Sequence, residues 1–165
     1  MNAIKPIKRS IQLQPLSREH HDGLLFVWKL RQGLANYTGL ETLRVFTGWY
    51  WKHHIRPHFF QEEKVLLPYM PAEHPLAQQL KNEHQAIREL IILVDRETEG
   101  FHLDRLASLL ESHIRFEERE LYQYLEETLT QEELNEIYKG LEDHPVCSDK
   151  EWPEPFWEKK KDQAS

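Results

Sequence analysis

The sequence predicts an all-α protein, an up-down-up-down four-helix bundle with a short fifth helix and an irregular C-terminal tail. Three observations carry this. Apolar positions recur at helical spacing, as in Leu80, Ile87, Ile91 and Val94. Period-two alternation is absent, and the turn signals are spaced for helices rather than strands. A pattern of one lone histidine followed by H-x-x-x-E occurs twice along the chain.

Residues 1–15 read as a polar arm closed by Pro15. Ser17, a good N-cap, opens a first helix that extends to about Tyr37. A second helix runs from about Glu41 to Leu67 and stops before Pro68. Pro57 lies inside it, where it removes a hydrogen bond and crowds the carbonyl of His53, so a kink just before His58 is expected. Two prolines, Pro71 and Pro75, mark a loop. A third helix covers about Leu76 to Glu97, Glu99-Gly100 makes a short turn, and a fourth helix covers about Leu103 to Thr128. Thr130-Gln131-Glu132-Glu133 is a capping box, which predicts a fifth helix over about 131–142. Beyond Pro145 the chain turns irregular, with Trp152, Phe156 and Trp157 expected to fold back onto the body.

The chain of 165 residues is long enough for one domain with a sizeable core, and the whole of 1–165 reads as a single domain. Hydrophobic residues make up 39% and charged residues 30%, the balance of helices with polar outer faces. The formal net charge is −7, and the one basic run, Lys159-Lys160-Lys161, is short, so nucleic-acid binding is not expected. No apolar stretch approaches the ~18 residues of a membrane helix, and the first residues lack the apolar segment of a signal peptide. One cysteine, Cys147, cannot form an internal disulfide. A cytoplasmic location is the expectation.

The chemistry lies in the repeat. His58 to Glu62 and His113 to Glu117 each read H-x-x-x-E, and each is preceded by L-x-x-E-H, at Leu16 to His20 and at Leu80 to His84. On a helix, residues i and i+4 share a face, so each pair can aim an imidazole and a carboxylate at one point. In the fourth helix Leu106, Leu110, His113, Glu117, Leu121 and Tyr124 form one inward stripe. The polar residues thus occupy core positions. A glutamate in a core stripe is costly unless something neutralises it, and a metal ion does so. Nitrogen and oxygen donors without a thiolate favour iron or manganese over structural zinc. Ferritin-like chemistry is disfavoured, because the one E-x-x-H, Glu99 to His102, spans a predicted turn.

This ordered set resembles the hemerythrin-like family, in its H-HxxxE-H-HxxxE form, over roughly residues 16–128. The resemblance implies a four-helix bundle around a non-haem diiron centre of the Fe–O–Fe type. His20, His58, Glu62, His84, His113 and Glu117 would be its ligands, with the two glutamates bridging two iron ions. Manganese or zinc are conceivable substitutes. Well-known members have an H-x-x-x-H on the third helix, whereas Arg88 stands at that position here.

Two histidines compete for the first helix. His20 is in phase with Leu16, Leu24, Val27 and Leu34 and is preferred over His21. His54 forms HxxxHxxxE with His58 and Glu62, but eight residues span about 12 Å, too far for one ion to meet His54 and Glu62 together. It is read as an outer or access-route residue. Glu63 and Glu118 are rotated by ~100° from the bridging glutamates and are read as outer carboxylates. His53, His74, His102 and His144 are read as surface residues.

Six protein ligands shared over two ions leave coordination positions free for a small molecule such as O₂ or NO. The preferred function is binding or sensing of such a ligand, or of iron. The alternative is a redox enzyme handling NO or peroxide, or an iron donor for repair of damaged metal centres. A weaker reading makes the aromatic tail a partner contact, although core packing of the tail explains it better.

Overall fold

The structure is a computed structural model that describes residues 8–146 and 151–158. Cys147 and the lysine run at 159–161 lie outside the described residues, as do the first seven residues of the arm. The described residues are helical without a strand. The first long helix, α1, spans Gln14–Ala35. It begins earlier than Ser17 predicts. Pro15 does not close the arm but occupies the first turn, where its missing N–H has no helical partner to lose. The second stretch is composite: α2 Leu40–Tyr50, a π-helical turn Trp51–Ile55, α3 Arg56–Gln61, a second π turn Glu62–Leu66 and a 3₁₀ turn Leu67–Tyr69. The first π turn solves the problem posed by Pro57. There the Arg56 N–H donates to the Trp51 carbonyl five residues back, so the hydrogen-bond pattern shifts just before the proline. Pro68 is absorbed in the 3₁₀ turn rather than standing beyond the helix.

The third stretch, α4, spans Pro75–Arg96, capped by the His74 imidazole, which accepts from the Leu76 N–H at 3.1 Å. The fourth is α5 Gly100–Phe116, a π turn Glu117–Leu121 and α6 Tyr122–Thr128, so Gly100 opens the helix instead of serving as the turn. The capping box holds as predicted: Thr130 and Glu133 exchange hydrogen bonds of 3.1 Å at the start of α7, Gln131–Asp143.

The four long stretches pack side by side as a bundle, α1 against α2 and α5, and α4 against α2 and α5. Two apolar clusters form the core. One joins Phe26, Leu30, Phe46, Phe59, Val94 and Leu106 with their neighbours. The other joins Leu16, Leu66, Leu80, Leu121 and Leu125 to Leu134, Ile137 and Leu141 of α7. Burial of this apolar area drives the assembly. The tail returns to the first cluster as expected: the Trp152 and Phe156 rings meet Phe46 edge-on, at 5.3 and 4.9 Å between centroids. Asn36 secures it by donating to the carbonyls of Phe156 and Glu158 at 3.2 and 3.1 Å. No helix of the described residues is long and apolar enough to cross a membrane.

Candidate metal centre

Between the two apolar clusters lies a polar layer. His20, His58, Glu62, His84, His113 and Glu117 are all buried there. All six residues singled out by the repeat are therefore brought together, one histidine from each of the first and third stretches and one H-x-x-x-E pair from each of the second and fourth. His21, the competitor on α1, is exposed. Leu24, expected inward, is 39% exposed. The face of α1 beside the layer is closed by Gly23 instead, where a Cβ would come within 2.9 Å of Ile114. Lacking a side chain, Gly23 lets α1 approach α5 closely at this level.

The donor atoms form two groups that share both glutamates. His20, His58, Glu62 and Glu117 make one, and Glu62, His84, His113 and Glu117 the other, with the atoms of each group within 4.8 Å of one another. Glu62 Oε1 faces both, 3.1 Å from His58 Nε2 and 3.3 Å from His84 Nε2. Glu117 divides its oxygens: Oε1 lies beside His113 Nε2, and Oε2 is 3.6 Å from His20 Nε2.

Every imidazole is oriented from outside by a carboxylate, and sequence reasoning could not name these partners. His20 Nδ1 lies 2.8 Å from Glu118, His58 Nδ1 2.6 Å from Glu19, His84 Nδ1 3.2 Å from Glu63, and His113 Nδ1 2.8 Å from Glu83. The pairs run in a closed ring, each long stretch supplying the acceptor for the histidine of the next. The ring explains both halves of L-x-x-E-H: the histidine faces inward while the preceding glutamate reaches the neighbouring helix. It also gives Glu63 and Glu118 the outer role expected of them. In a neutral imidazole, donation from Nδ1 leaves Nε2 with its lone pair directed inward, the tautomer a metal ligand needs. Two arginines brace the ring. Arg88, which replaces a histidine of the H-x-x-x-H pattern, donates to Glu63 at 2.7 Å. Arg9, a buried residue of the arm, donates to Glu118 at 3.0 Å and also pairs with Glu126.

The inner atoms fit cations. Glu62 Oε1, His84 Nε2, His113 Nε2 and both Glu117 oxygens are buried without a hydrogen-bond partner. Buried polar atoms are nearly always satisfied, so five converging exceptions with lone pairs directed inward mark a site for positive charge. The protonation pattern agrees. Burial lowers the His113 imidazole to about 4 and lowers His20 as well. For His58 burial is outweighed by the Glu62 and Glu19 carboxylates, which raise it to about 10. Among the protein groups alone, His58 thus supplies a cation to the buried glutamates. Glu62 remains well below the usual carboxylate range, because burial is outweighed by His58 and His84.

Tyr122 is a residue that the sequence stripe missed. It is fully buried, and its hydroxyl lies 3.0 Å from Glu62 Oε2 and 3.2 Å from His20 Nε2. The stripe assigned Leu121 and Tyr124 by straight α-helical steps. Leu121 is buried, but the π turn at Glu117 places the Tyr122 N–H on the Glu117 carbonyl and swings Tyr122 inward, leaving Tyr124 half-buried. A carboxylate followed five residues later by a hydroxyl was the available signal, and it is visible only if a π turn is assumed.

Of the remaining histidines, His54 is half-buried and stacks on Tyr50 at 4.4 Å between centroids. It lines a cavity of about 90 Å³ that reaches His20, His58 and His113, with Glu19, Asp22, Phe59 and Leu110 among its other walls. His54 belongs to neither donor group, which agrees with an access-route position. His102 is not a surface residue as expected. It is buried, with Nδ1 2.8 Å from the Glu97 carbonyl, and ties the start of α5 to the end of α4.

The hemerythrin HHE cation binding domain is the family model that matches the chain, over residues 16–125. Comparison with curated proteins and comparison with solved structures each give no significant match. The matched span contains both histidine–glutamate repeats and all six residues of the buried layer, and the chain belongs to the hemerythrin HHE cation-binding family.

Proposed function

We propose that the protein is a dinuclear non-haem iron protein that binds or senses a small diatomic ligand, O₂ or NO. The carrying observation is the pair of four-residue donor groups sharing Glu62 and Glu117, with five of their inward atoms making no hydrogen bond. His20, His58, Glu62 and Glu117 would hold one ion, and His84, His113 and the same glutamates the other. An oxygen- and nitrogen-rich donor set around a shared carboxylate pair favours iron or manganese. When bound, a pair of irons supplies open coordination positions and one-electron chemistry toward such ligands. The alternating order in which the four stretches pass between the two apolar clusters supports the up-down-up-down reading of the bundle.

The chain's own part is threefold. The outer carboxylates orient the four imidazoles. Phe59, stacked on His84 at 3.6 Å between centroids, and buried Ile87 and Leu121 keep water from the layer. The cavity beside His20 and His58, at about 90 Å³, has room for a molecule of water size or slightly larger, which needs about 10–15 Å³ on the same measure. Its walls are mainly apolar around Ile55, Leu110 and Ile114, which suits a diatomic molecule better than a polar substrate.

One feature favours the enzymatic alternative. Asp22 and His54 line the same cavity and could pass protons to a reacting ligand. Anaerobic reduction followed by titration with each gas tests the main reading. Stoichiometric uptake with a changed visible spectrum is expected. A spectrum indifferent to both gases, in protein holding two ferrous ions, refutes it, whereas steady consumption of NO or peroxide with a supplied reductant selects the enzyme.

A further inference from the structure

The two donor groups come from a repeated motif, yet they are not equivalent. Leu67 and Tyr122 occupy the same place in the repeat, five residues after Glu62 and Glu117, each donating its N–H to that glutamate's carbonyl across a π turn. One is aliphatic and partly exposed, and the other carries a buried hydroxyl. The Tyr122 ring lies parallel to the His20 imidazole, with 2° between the planes, and its O–H donates to Glu62 Oε2 at 3.0 Å. The corresponding ring over the other group is Phe59, stacked on His84 and unable to donate. Glu117, the partner carboxylate, accepts no hydrogen bond; its oxygens face the His113 and His20 imidazoles.

We propose that Tyr122 is a positioning residue that makes the two metal positions unequal, by engaging Glu62 Oε2 beside the His20–His58 group and so leaving that position the weaker and more reactive of the two. This inference rests on the dinuclear reading above. The geometry gives it a direction. Glu117 spans both groups, one oxygen to each, and Glu62 offers both groups the same oxygen, Oε1. Its second oxygen could complete the His20–His58 position only by giving up the phenol, whose hydroxyl also stands 3.2 Å from the His20 donor nitrogen. The His84–His113 position meets no such competitor and fills first. The cavity is lined by His20 and His58 and touches the other group only at His113, so the less saturated position presents both of its histidines to an incoming ligand.

The test is Tyr122→Phe, which keeps the ring on His20 and removes the hydroxyl alone. Ferrous iron is titrated anaerobically into the full-length wild-type protein and the variant, with calorimetry for the two binding steps. Mössbauer spectroscopy of isotopically enriched iron reads the loaded proteins. In the wild type the second ion should bind on the order of tenfold more weakly than the first, the worth of one hydrogen bond to a charged group, and the two irons should give two distinct signals. In Tyr122→Phe the second step should tighten on the order of tenfold and the signals converge. The metal-free variant should melt lower than the metal-free wild type, because Glu62 Oε2 is left without a partner, while the loaded proteins melt alike. A merely structural role predicts the reverse, with both ions loosened together. That outcome, or an unchanged step ratio with unchanged signals, overturns the proposal while leaving the dinuclear site intact. Uptake of at most one ion by the wild type overturns the dinuclear reading and this inference with it.

Discussion

Replacing Glu62 and Glu63 one at a time separates an inner ligand from the carboxylate next to it in sequence. Glu62 Oε1 stands within 3.3 Å of histidine nitrogens from both donor groups, so Glu62→Ala takes a shared ligand from both ions. Iron content should fall from two ions per chain to at most one, even in excess ferrous iron. Glu63 touches no inner atom. It accepts from His84 Nδ1 at 3.2 Å and from Arg88 at 2.7 Å. Glu63→Ala removes one orienting contact, and such outer partners are worth about 10–100-fold in metal affinity. At about 1.4 kcal/mol per tenfold, that is about 1.4–2.8 kcal/mol. Glu63→Ala should therefore still load two ions when iron is in excess, and lose them sooner to a chelator. Glu117→Ala and Glu118→Ala should divide in the same way, because Glu118 accepts from His20 as Glu63 does from His84. The assay is elemental analysis after removal of free iron, followed by a chelator competition series. Equal loss of iron in all four variants would show that the inner and outer assignments are wrong.

Metal uptake at neutral pH should release about one proton per chain: His58, raised to about 10, is protonated beforehand, whereas a ligating imidazole must be neutral. Calorimetry in two buffers of different ionisation enthalpy reads this, and no net release would show that His58 is already neutral before metal binds. Acid should destabilise the metal-free protein between its ordinary histidine value of 6.5 and about 4, since His113 and His20 are lowered in the fold and the unfolded chain binds the extra protons. Glu63, lowered to about 2 by His84 and Arg88 against the effect of burial, adds stability that is present above 4.5 and lost as pH falls toward 2. His58 acts oppositely: its contribution is full below 6.5 and lost as pH rises through about 10, an alkaline decline that metal loading should abolish. Urea melts across this range, with and without iron, check both limbs, and a flat profile in the metal-free protein would contradict the buried layer. Gly33→Ala would bring a Cβ within 2.7 Å of Leu43 and 2.8 Å of the Phe156 ring, so it should cost about 1–3 kcal/mol by loosening the tail, with iron content unchanged.

The helical class, the six inward residues and the start of α7 were all readable from the order of residues. These are local properties. An i, i+4 pair shares a helix face whatever the helix packs against, and a capping box closes within four residues, so His58 with Glu62, His113 with Glu117, and Thr130 with Glu133 were legible without a partner in view. The choice of His20 over His21 also followed from phase, although Leu24, taken as its neighbour in that phase, proved exposed. The residues that complete the site became visible through helix packing. The acceptors Glu19, Glu63, Glu83 and Glu118 each serve a histidine on a different helix, so their pairing depends on how the four helices are rotated and shifted against one another. Arg9 reaches Glu118 across more than a hundred residues of sequence for the same reason. Tyr122 escaped because a π turn breaks the regular period on which helical phase depends. Periodicity carries information along one helix, and contacts between helices are fixed by packing, which no single helix encodes.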